Sequence, residues 1–317
     1  MTVIEKIKNA KKPLFTFELL PPLKGHNISE LFNVIDNLIE YNPAYINITY
    51  HQKEVVMKKR SDGLMEKVVV RKRPGTVAIA AAIKNKYKVP VVPHLICGGF
   101  TKDAIEDALI DLQFLGINDL LVLRGDPPKG SRMFIPEDGG HSHTSELVEQ
   151  IANFNKGKLI SGKPNEGMKP NFCVGVAGYP EKHLEAPNMQ FDLEKLKLKV
   201  DNGAQYIVTQ MFFDTQKYID FVKMCREIGI NVPIIPGIKP ISSLNDINLL
   251  PQIFNIDIPS DLVVEINKCT TNKQVRQLGV EWAIKQSNEL LKFGVPGIHY
   301  YSLGQSDNIK KIAKAIF

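Results

Sequence analysis

Short apolar runs alternate along the chain with longer stretches in which apolar residues recur at helical spacing. The first run, LFTFELL (14–20), precedes an amphipathic stretch at 29–41. Several of the runs are almost continuously apolar, which is typical of parallel strands buried on both faces. The pattern predicts strands at 14–20, 45–50, 91–98, 119–125, 172–180, 206–214, 232–240 and 297–304.

A helical stretch follows each predicted strand. Thr101 is suited to cap one of these helices at its start, and Gly116 is suited to end it. The predicted helices are 29–41, 76–87, 101–116, 144–155, 192–204, 215–229, a helical region with breaks at 242–294, and a closing helix at 306–317.

Strand–helix units repeated eight times favour a closed barrel, so the predicted fold class is α/β, a single (β/α)8 TIM barrel. The alternative is an open doubly wound sheet, but no GxGxxG follows the first strand, where a dinucleotide-binding turn belongs. The 317 residues suit a barrel with insertions. No linker stands out, so 1–317 is predicted to be one domain, with long loops at 125–140 and 156–170.

Composition excludes several classes of protein. The net charge of +6 is dispersed, without the basic and aromatic stripe of a nucleic-acid-binding surface. Its densest runs, at 58–60 and 71–73, indicate either a solvated face or attraction of an anionic ligand. The four cysteines are far apart, and no apolar run is long enough for a signal core or a membrane span. We therefore expect a cytoplasmic protein with no disulfide, no metal site, no nucleic-acid partner and no membrane partner.

Polar residues interrupt the apolar runs near the carboxyl ends of the predicted strands, which is where barrel enzymes carry their chemistry. Burying one unpaired charged group is unfavourable, so several at one end indicate mutual pairing or a ligand. These residues are Glu18, Thr49, His94, Arg124, Asp126, Tyr179, Glu181, His183, Gln210, His299 and Tyr301.

Glu18 is the most informative of them, because it lies between Phe17 and Leu19. Apolar surroundings favour the neutral form of a carboxyl group, so Glu18 could serve as a protonated acid. The alternative is a structural carboxylate paired with a barrel arginine.

Three other segments have the composition of binding loops. LRGD (123–126) opens a loop rich in Gly and Pro that lets backbone amides approach a ligand closely. GGHSHTSEL (139–147) suits a helix N-terminus that receives a phosphate better than a metal site. YPEKHLEA (179–186) and QMFFD (210–214) indicate a binding loop and contacts to a flat heteroaromatic ligand, or else a surface turn and core packing.

Taken together, these motifs resemble those of the methylenetetrahydrofolate reductase family. The matching segments stand in family order and cover nearly the whole chain: FTFELLPP (15–22), NITY (47–50), PHLICGG (93–99), VLRGDPP (122–128), GYPEKHLEA (178–186), KVDNGAQYIVTQMFFD (199–214) and IIPGIKP (234–240). Larger members carry a further regulatory domain after the barrel, and this chain resembles the short bacterial form.

The resemblance implies an FAD-dependent enzyme of one-carbon metabolism and methionine synthesis. It would reduce 5,10-methylenetetrahydrofolate to 5-methyltetrahydrofolate with NADH or NADPH, by ping-pong hydride transfer. Glu18 matches the general acid and a substrate-binding position, Asp126 matches the acid beside flavin and folate, and Gln210 matches a folate-binding amide. The positions implied to hold FAD are Thr49, His94, Leu123, Arg124, Gly125, Asp126, His143, Thr144, Ala177, Tyr179, His183, Asp192 and Lys199. A homo-oligomer is also expected.

The chain departs from the family pattern mainly on the substrate side. His143 replaces a tyrosine, and HQKEVV (51–56) replaces a Gly-rich continuation. Asp246, Leu250 and Gln305 stand where a glutamine, a phenylalanine and a basic residue are expected. Nicotinamide preference and polyglutamate preference are therefore not assigned. Three further interpretations stay open: another flavin barrel, such as one that oxidises an amino acid; a non-catalytic folate- or flavin-binding protein; and a metal-dependent aldolase-type barrel.

Overall fold

A computed structural model describes residues 1–127, 131, 133–165, 167, 169–302 and 304–317. Its centre is a closed barrel of eight parallel strands, which confirms the predicted fold. Around the barrel the strand order is β1-β10-β9-β8-β7-β6-β5-β2, while β3 and β4 form a separate antiparallel hairpin. The strands are β1 (Leu14–Leu19), β2 (Tyr45–Ile48), β3 (Glu54–Lys59), β4 (Met65–Val70), β5 (Val91–Ile96), β6 (Asp119–Leu123), β7 (Cys173–Gly178), β8 (Tyr206–Met211), β9 (Ile234–Ile238) and β10 (Gly297–Tyr301).

Helices surround the barrel at the predicted positions. The Thr101 side chain accepts a hydrogen bond from the Ala104 N–H at 3.2 Å, and Gly116 has the positive φ of a helix stop, +64°. Both predicted helix limits are therefore confirmed. The helices are α1 (Val3–Asn9), α2 (Ser29–Asp36), α3 (Thr76–Tyr87), α4 (Lys102–Phe114), α5 (Thr144–Asn155), α6 (Met189–Asp201), α7 (Thr215–Glu227), α8 (Asp246–Phe254), α9 (Ser260–Asn267), α10 (Asn272–Phe293) and α11 (Asp307–Ile316), with a short 3₁₀ turn at Ile39–Tyr41.

Alternation along each strand separates two cores. Side chains such as Phe17, Val176 and Ile298 point outward and pack beneath the helices. Inward-pointing side chains near the strand starts form a second core inside the barrel, in which Val3 of α1 is fully buried. The Val3 N–H donates to the Asp119 carboxylate at 2.7 Å. Helix α1 therefore closes the amino end of the barrel, and chemistry is confined to the other end.

Two elements, helix α1 and the β3–β4 hairpin, were not predicted. Both faces of the hairpin are largely exposed. The helical region with breaks predicted at 242–294 is confirmed as three helices, whereas the predicted strand ends are one to three residues too long at most strands. Pro128 of the VLRGDPP motif and parts of 125–140, 156–170 and 297–304 lie outside the described residues.

Within the described ranges, no helix is both long and apolar enough to cross a bilayer. The same residues contain no group of three or more His, Cys, Asp or Glu side chains arranged to hold a metal ion.

Candidate functional site

The predicted site residues lie at the carboxyl end of the barrel, which we call the mouth, and they divide between its two halves. The adjacent strands β2, β5, β6 and β7 carry the positions assigned to FAD, whereas β8, β9, β10 and β1 form the opposite half. Glu18 and Gln210 stand on β1 and β8, the two ends of that second half. The barrel thus separates a predicted cofactor side from a predicted substrate side.

Glu18 is buried at the end of β1, with 6% of its surface exposed. In the barrel register it lies between Tyr301 on β10 and Asn47 on β2. Its Oε2 is 3.9 Å from Nε2 of His299. In the described part of the chain no arginine or lysine forms an ion pair with Glu18, so the alternative of a carboxylate paired with a barrel arginine is not supported.

His299 belongs to a buried polar layer directly below Glu18. Its Nδ1 lies 2.9 Å from the Thr16 hydroxyl and 3.4 Å from the amide nitrogen of Asn47. When Nδ1 accepts these hydrogen bonds, the ring N–H is on Nε2, the atom that faces Glu18. The layer can therefore direct an imidazole N–H toward the carboxyl group.

Among the described residues, three buried polar atoms of this layer have no hydrogen-bond partner: Nε2 of His299, Nε2 of His94 and Oδ1 of Asn47. Burial, together with the nearby His299 and His51, lowers the pKa of His94 to about 3. His94 is therefore neutral at physiological pH. Buried polar atoms normally have partners, so these three atoms are candidates to contact a ligand.

Asp126 follows β6 at the mouth, and its position is exposed. Its backbone oxygen accepts a hydrogen bond from Nε2 of Gln52 at 2.8 Å, which fixes the turn after β6 to the segment leading into the hairpin. Burial and the charge of Arg73 lower the pKa of His51, while Asp126 and Glu18 oppose that shift. His51 therefore lies within electrostatic range of both carboxylates.

Arg124 is held by an acidic residue that the sequence did not single out. Its guanidinium donates to both carboxylate oxygens of Glu185 at 2.7 and 2.6 Å, and it lies 4.9 Å from the ring of Phe134. The Arg124 hydrogen bond lowers the pKa of Glu185, and His143 contributes to the same shift. Glu185 therefore links Arg124 electrostatically to the start of α5.

The loop after β7 and helix α6 form a second basic cluster on the cofactor side. The Lys199 ammonium donates to the backbone oxygen of Ala177 at 3.2 Å and lies 5.9 Å from the ring of Tyr179. Burial lowers the pKa of Lys199 to about 8, even though Asp192 opposes the shift. Asp192 also accepts from the His183 N–H at 2.8 Å. These contacts join the five residues into one group.

At the start of α5, two backbone N–H groups already donate hydrogen bonds to a side chain of the protein. Oε2 of Glu146 accepts from the backbone N–H groups of Ser142 and His143, at 2.8 and 3.2 Å. Thr144, the first helical residue, is buried, whereas His143 is exposed. His141 lies 2.5 Å from Gln150 and is a structural contact of this loop. A phosphate at this helix would have to bind amides other than those of Ser142 and His143.

Gln210 stands at an irregularity of β8, where the register shifts between Val208 and Met211. Its Oε1 accepts from the N–H of Met211 at 2.9 Å, and the side chain is half-buried. Next to it, the Tyr301 hydroxyl donates to the backbone oxygen of Thr209 at 2.6 Å. Burial, with a contribution from Glu18, raises the pKa of Tyr301 far above its ordinary value, so Tyr301 is a neutral wall of the substrate half.

Glu181, another polar residue near a strand end, contacts a different part of the protein from the other candidate residues. Its Oε2 accepts from the backbone N–H of Asp257 at 2.9 Å, and burial raises its pKa to about 7. It lines a cavity of about 580 Å³ beside the mouth, between the loop after β7, helix α7 and the end of α8. None of the residues assigned to FAD or folate lines this cavity.

Three residues of the mouth were missed by sequence reasoning. Asn47 and Thr16 hold His299, and Lys239 lies just after β9 with 7% of its surface exposed. Their alternation with buried apolar neighbours was the available signal. Gln305, where a basic residue was expected, is exposed.

Comparison with known proteins identifies a matching family. The family described as methylenetetrahydrofolate reductase matches residues 3–316. "Methylenetetrahydrofolate reductase (NADH) 1" of Arabidopsis thaliana is 32% identical over 100% of this chain, which spans about half, 50%, of that relative. The "5,10-methylenetetrahydrofolate reductase" of Escherichia coli is 30% identical, covering 92% of this chain and 86% of the relative.

A solved structure supports the fold independently. It is described as an uncharacterized protein from Clostridium thermocellum that binds two copies of 5-methyl-5,6,7,8-tetrahydrofolic acid. The two structures superpose with a TM-score of 0.56 at 16% sequence identity, and the match covers 98% of this chain and 97% of the other chain. At that identity the likeness concerns the fold alone. From the match over almost its entire length, the chain belongs to the methylenetetrahydrofolate reductase family.

Proposed function

We propose that this protein is a flavin-dependent reductase that converts 5,10-methylenetetrahydrofolate to 5-methyltetrahydrofolate, with NADH or NADPH as reductant. The observation that carries the proposal is Glu18, a buried carboxyl group at the barrel mouth without a cationic ion-pair partner from Lys or Arg among the described residues. Family membership supports the same reaction.

The cofactor half of the mouth has the donor set that FAD needs. His94 offers a neutral imidazole whose Nε2 has no partner, and Lys199 and Arg124 offer cations for phosphate or ring oxygens. At Gly125 an added Cβ would meet Ile96 at 3.0 Å, and Gly125 has a φ of +90°. This turn therefore brings bare backbone to the mouth, as a bound ring system requires.

The remaining proposed FAD positions are distributed around these. They lie at or beside the same strand ends and are Thr49, Leu123, Asp126, His143, Thr144, Ala177, Tyr179, His183 and Asp192. When bound, the flavin would supply the redox chemistry, taking reducing equivalents from the dinucleotide and giving them to the folate.

Glu18 would move the proton in this reaction. Opening the methylene bridge requires a proton on a folate nitrogen, and a buried carboxylic acid is suited to donate it. The Nε2–H of His299, 3.9 Å away, would stabilise the carboxylate that remains. His94 and Asn47 keep the space below Glu18 polar without adding a charge.

Asp126 would act through its charge. A carboxylate close to the reacting rings stabilises the cationic iminium that forms when the bridge opens. Gln210 would bind the folate ring through its amide group from the opposite end of the substrate half. A homo-oligomeric, cytoplasmic protein with one domain over 1–317 stays a prediction.

The first test is the visible spectrum of the purified protein. The proposal expects a flavin spectrum that NADH or NADPH bleaches under anaerobic conditions and that methylenetetrahydrofolate restores. A colourless protein that binds no FAD and requires a divalent ion for its activity would overturn the proposal.

The second test separates the acid from the cofactor. Glu18→Gln is expected to bind FAD and to oxidise the nicotinamide dinucleotide normally, but to reduce the folate about 10²- to 10⁴-fold more slowly, the usual contribution of a general acid. Glu40→Gln is a matched control, because Glu40 pairs with Lys310 on the outer surface. Folate reduction by Glu18→Gln at the wild-type rate would contradict the assignment.

A further inference from the structure

Lys239 is a buried lysine at the mouth to which the proposed reaction gives no role. It follows β9 directly, and 7% of its surface is exposed. Its ammonium lies 3.4 Å from Oδ2 of Asp246. Burying a charged side chain removes its hydration, so buried charged groups normally make interactions that offset this loss. The buried position of Lys239 therefore requires an explanation.

The strand pattern shows which way Lys239 faces. On β9, Ile235 packs in the core inside the barrel and Ile238 packs in the outer core. At Gly237 an added Cβ would meet the Tyr301 ring at 2.6 Å, inside the barrel. Because alternate residues of a strand share a face, Lys239 follows Ile235 and Gly237 and faces the mouth.

The strand register relates Lys239 to the proposed acid. His299 pairs with Gly237 and Tyr300 with Ile238, and Lys239 is the residue that follows Ile238. Tyr301, the residue that follows Tyr300, pairs with Glu18. Lys239 therefore stands at the carboxyl end of the barrel, two strands from Glu18.

Lys239 also lies between the two proposed folate contacts. Glu18 is on β1 and Gln210 is on β8, and the strands between them are β10 and β9. A ring that contacts both Glu18 and Gln210 must pass over the ends of those two strands. On β10 the Tyr301 hydroxyl is already bound to Thr209, which leaves Lys239 as the cationic donor of this arc.

Asp246 holds Lys239 and is itself fully engaged. Its oxygens accept hydrogen bonds from the N–H and hydroxyl groups of both Ser242 and Ser243, at 2.6 to 3.3 Å. Burial raises the pKa of Asp246, but the Ser243 and Ser242 hydrogen bonds and the Lys239 charge outweigh it and lower the pKa. Asp246 is thus a fixed anion, whereas an ammonium group has three donors and Lys239 uses one of them within the described residues.

We propose that Lys239 is a substrate-binding residue that donates a hydrogen bond to an acceptor atom of the folate pterin ring, with Asp246 as its positioning residue. Asp246 stands where the family resemblance expects a substrate-binding glutamine. In this chain the polar contact of that segment would come from the lysine instead. This inference rests on the proposed function and adds a specificity determinant to it.

The competing explanation is that Lys239 only neutralises Asp246. The two explanations differ in what a neutral replacement changes. Lys239→Met keeps the length of the side chain, and Asp246 keeps its four serine contacts. Loss of the neutralising charge alone would change stability, whereas loss of a ligand contact would change folate binding.

The experiment compares Lys239→Met with the wild type and with a control variant, Lys310→Met. Lys310 lies on α11 and forms an ion pair with Glu40, away from the mouth. Flavin content is measured first, then binding of 5-methyltetrahydrofolate by calorimetry, and then the two half-reactions separately. We expect Lys239→Met to weaken 5-methyltetrahydrofolate binding and to raise the folate KM at least tenfold, while flavin content and dinucleotide oxidation change less than twofold.

Lys239→Gln gives a second route if Lys239→Met does not fold, because the amide is smaller and remains polar. A smaller loss of folate binding, about threefold or more, is then expected. Unchanged folate affinity in either folded variant, or an equal loss in the dinucleotide half-reaction, would overturn the role of Lys239. Failure of the proposed function is a separate outcome, because wild-type protein would then neither bind 5-methyltetrahydrofolate nor reduce the methylene form.

Discussion

Replacing Asp119 by asparagine is expected to stabilise the protein at neutral pH. Asp119 lies at the start of β6, inside the closed end of the barrel, with 5% of its surface exposed. Its carboxylate accepts the N–H of Val3 at 2.7 Å and thereby holds α1 in place. Asparagine keeps an acceptor oxygen for that hydrogen bond and removes the buried charge.

The size of the effect follows from the pKa of Asp119. Burial raises it from 3.8 to about 6, although the Val3 hydrogen bond opposes the shift. The folded state therefore binds the proton more tightly than the unfolded state, and the stability contribution of Asp119 falls as pH rises from about 4 to about 6. At 1.36 kcal/mol per pKa unit, the raised pKa of Asp119 costs about 3 kcal/mol of stability at pH 7.5, where the folded state must hold the ion. At pH 5 the cost is about 1.5 kcal/mol, because there the carboxyl ionises only in the unfolded state.

Urea unfolding followed by circular dichroism, at both pH values and at a fixed flavin concentration, measures the difference between Asp119→Asn and wild type. Comparing the two proteins at each pH cancels the other titrating groups. The variant should gain up to about 3 kcal/mol at pH 7.5, and about half of that gain at pH 5. A gain that does not change with pH, or a variant less stable at pH 7.5 than at pH 5 relative to wild type, would refute the reasoning.

Two further predictions concern the mouth. Because burial lowers the pKa of Lys199 to about 8, loss of its proton above that pH should weaken FAD binding. The dissociation constant of FAD, followed by fluorescence quenching, should rise from pH 7 to pH 9 in the wild type and stay nearly flat in Lys199→Arg; a parallel rise in both proteins would exclude Lys199 as the cause. Gly237→Ala places a Cβ 2.3 Å from the backbone oxygen of Thr209 and 2.7 Å from the Tyr301 hydroxyl. The strand must shift, so thermal unfolding should show a loss of about 1–3 kcal/mol, together with slower folate reduction. Gly304→Ala, which meets nothing within 4 Å but has a positive φ, is the comparison for backbone strain alone.

The chain pattern was sufficient wherever local and tertiary requirements agree. Strands of the barrel are buried on both faces, so they read as apolar runs, and helices such as α3 and α5 begin and end where their periodicity does. The hairpin, which has no buried face, was missed. The side chains of Val55, Met57, Met65 and Val69 in the β3–β4 hairpin are exposed. Its alternation of apolar and polar residues therefore does not correspond to a buried core.

The candidate site shows the same division. Alternation within the strands was enough to place Glu18, His94 and Gln210 at the mouth, because a polar residue inside an apolar run must face a ligand or a partner. The partners themselves could not be predicted. Glu185 binds Arg124 across 61 positions of sequence, and Thr16 contacts His299 across 283.

The sequence by itself determined the barrel, because the period of burial along each strand and helix is a local property that every short segment records. Only the tertiary structure decided which charges are paired, that α1 closes the amino end, and that Lys239 lies at the carboxyl end of the barrel two strands from Glu18. Those facts depend on strand register and barrel closure, which join distant segments, and a local pattern cannot encode the distance between two side chains on different strands.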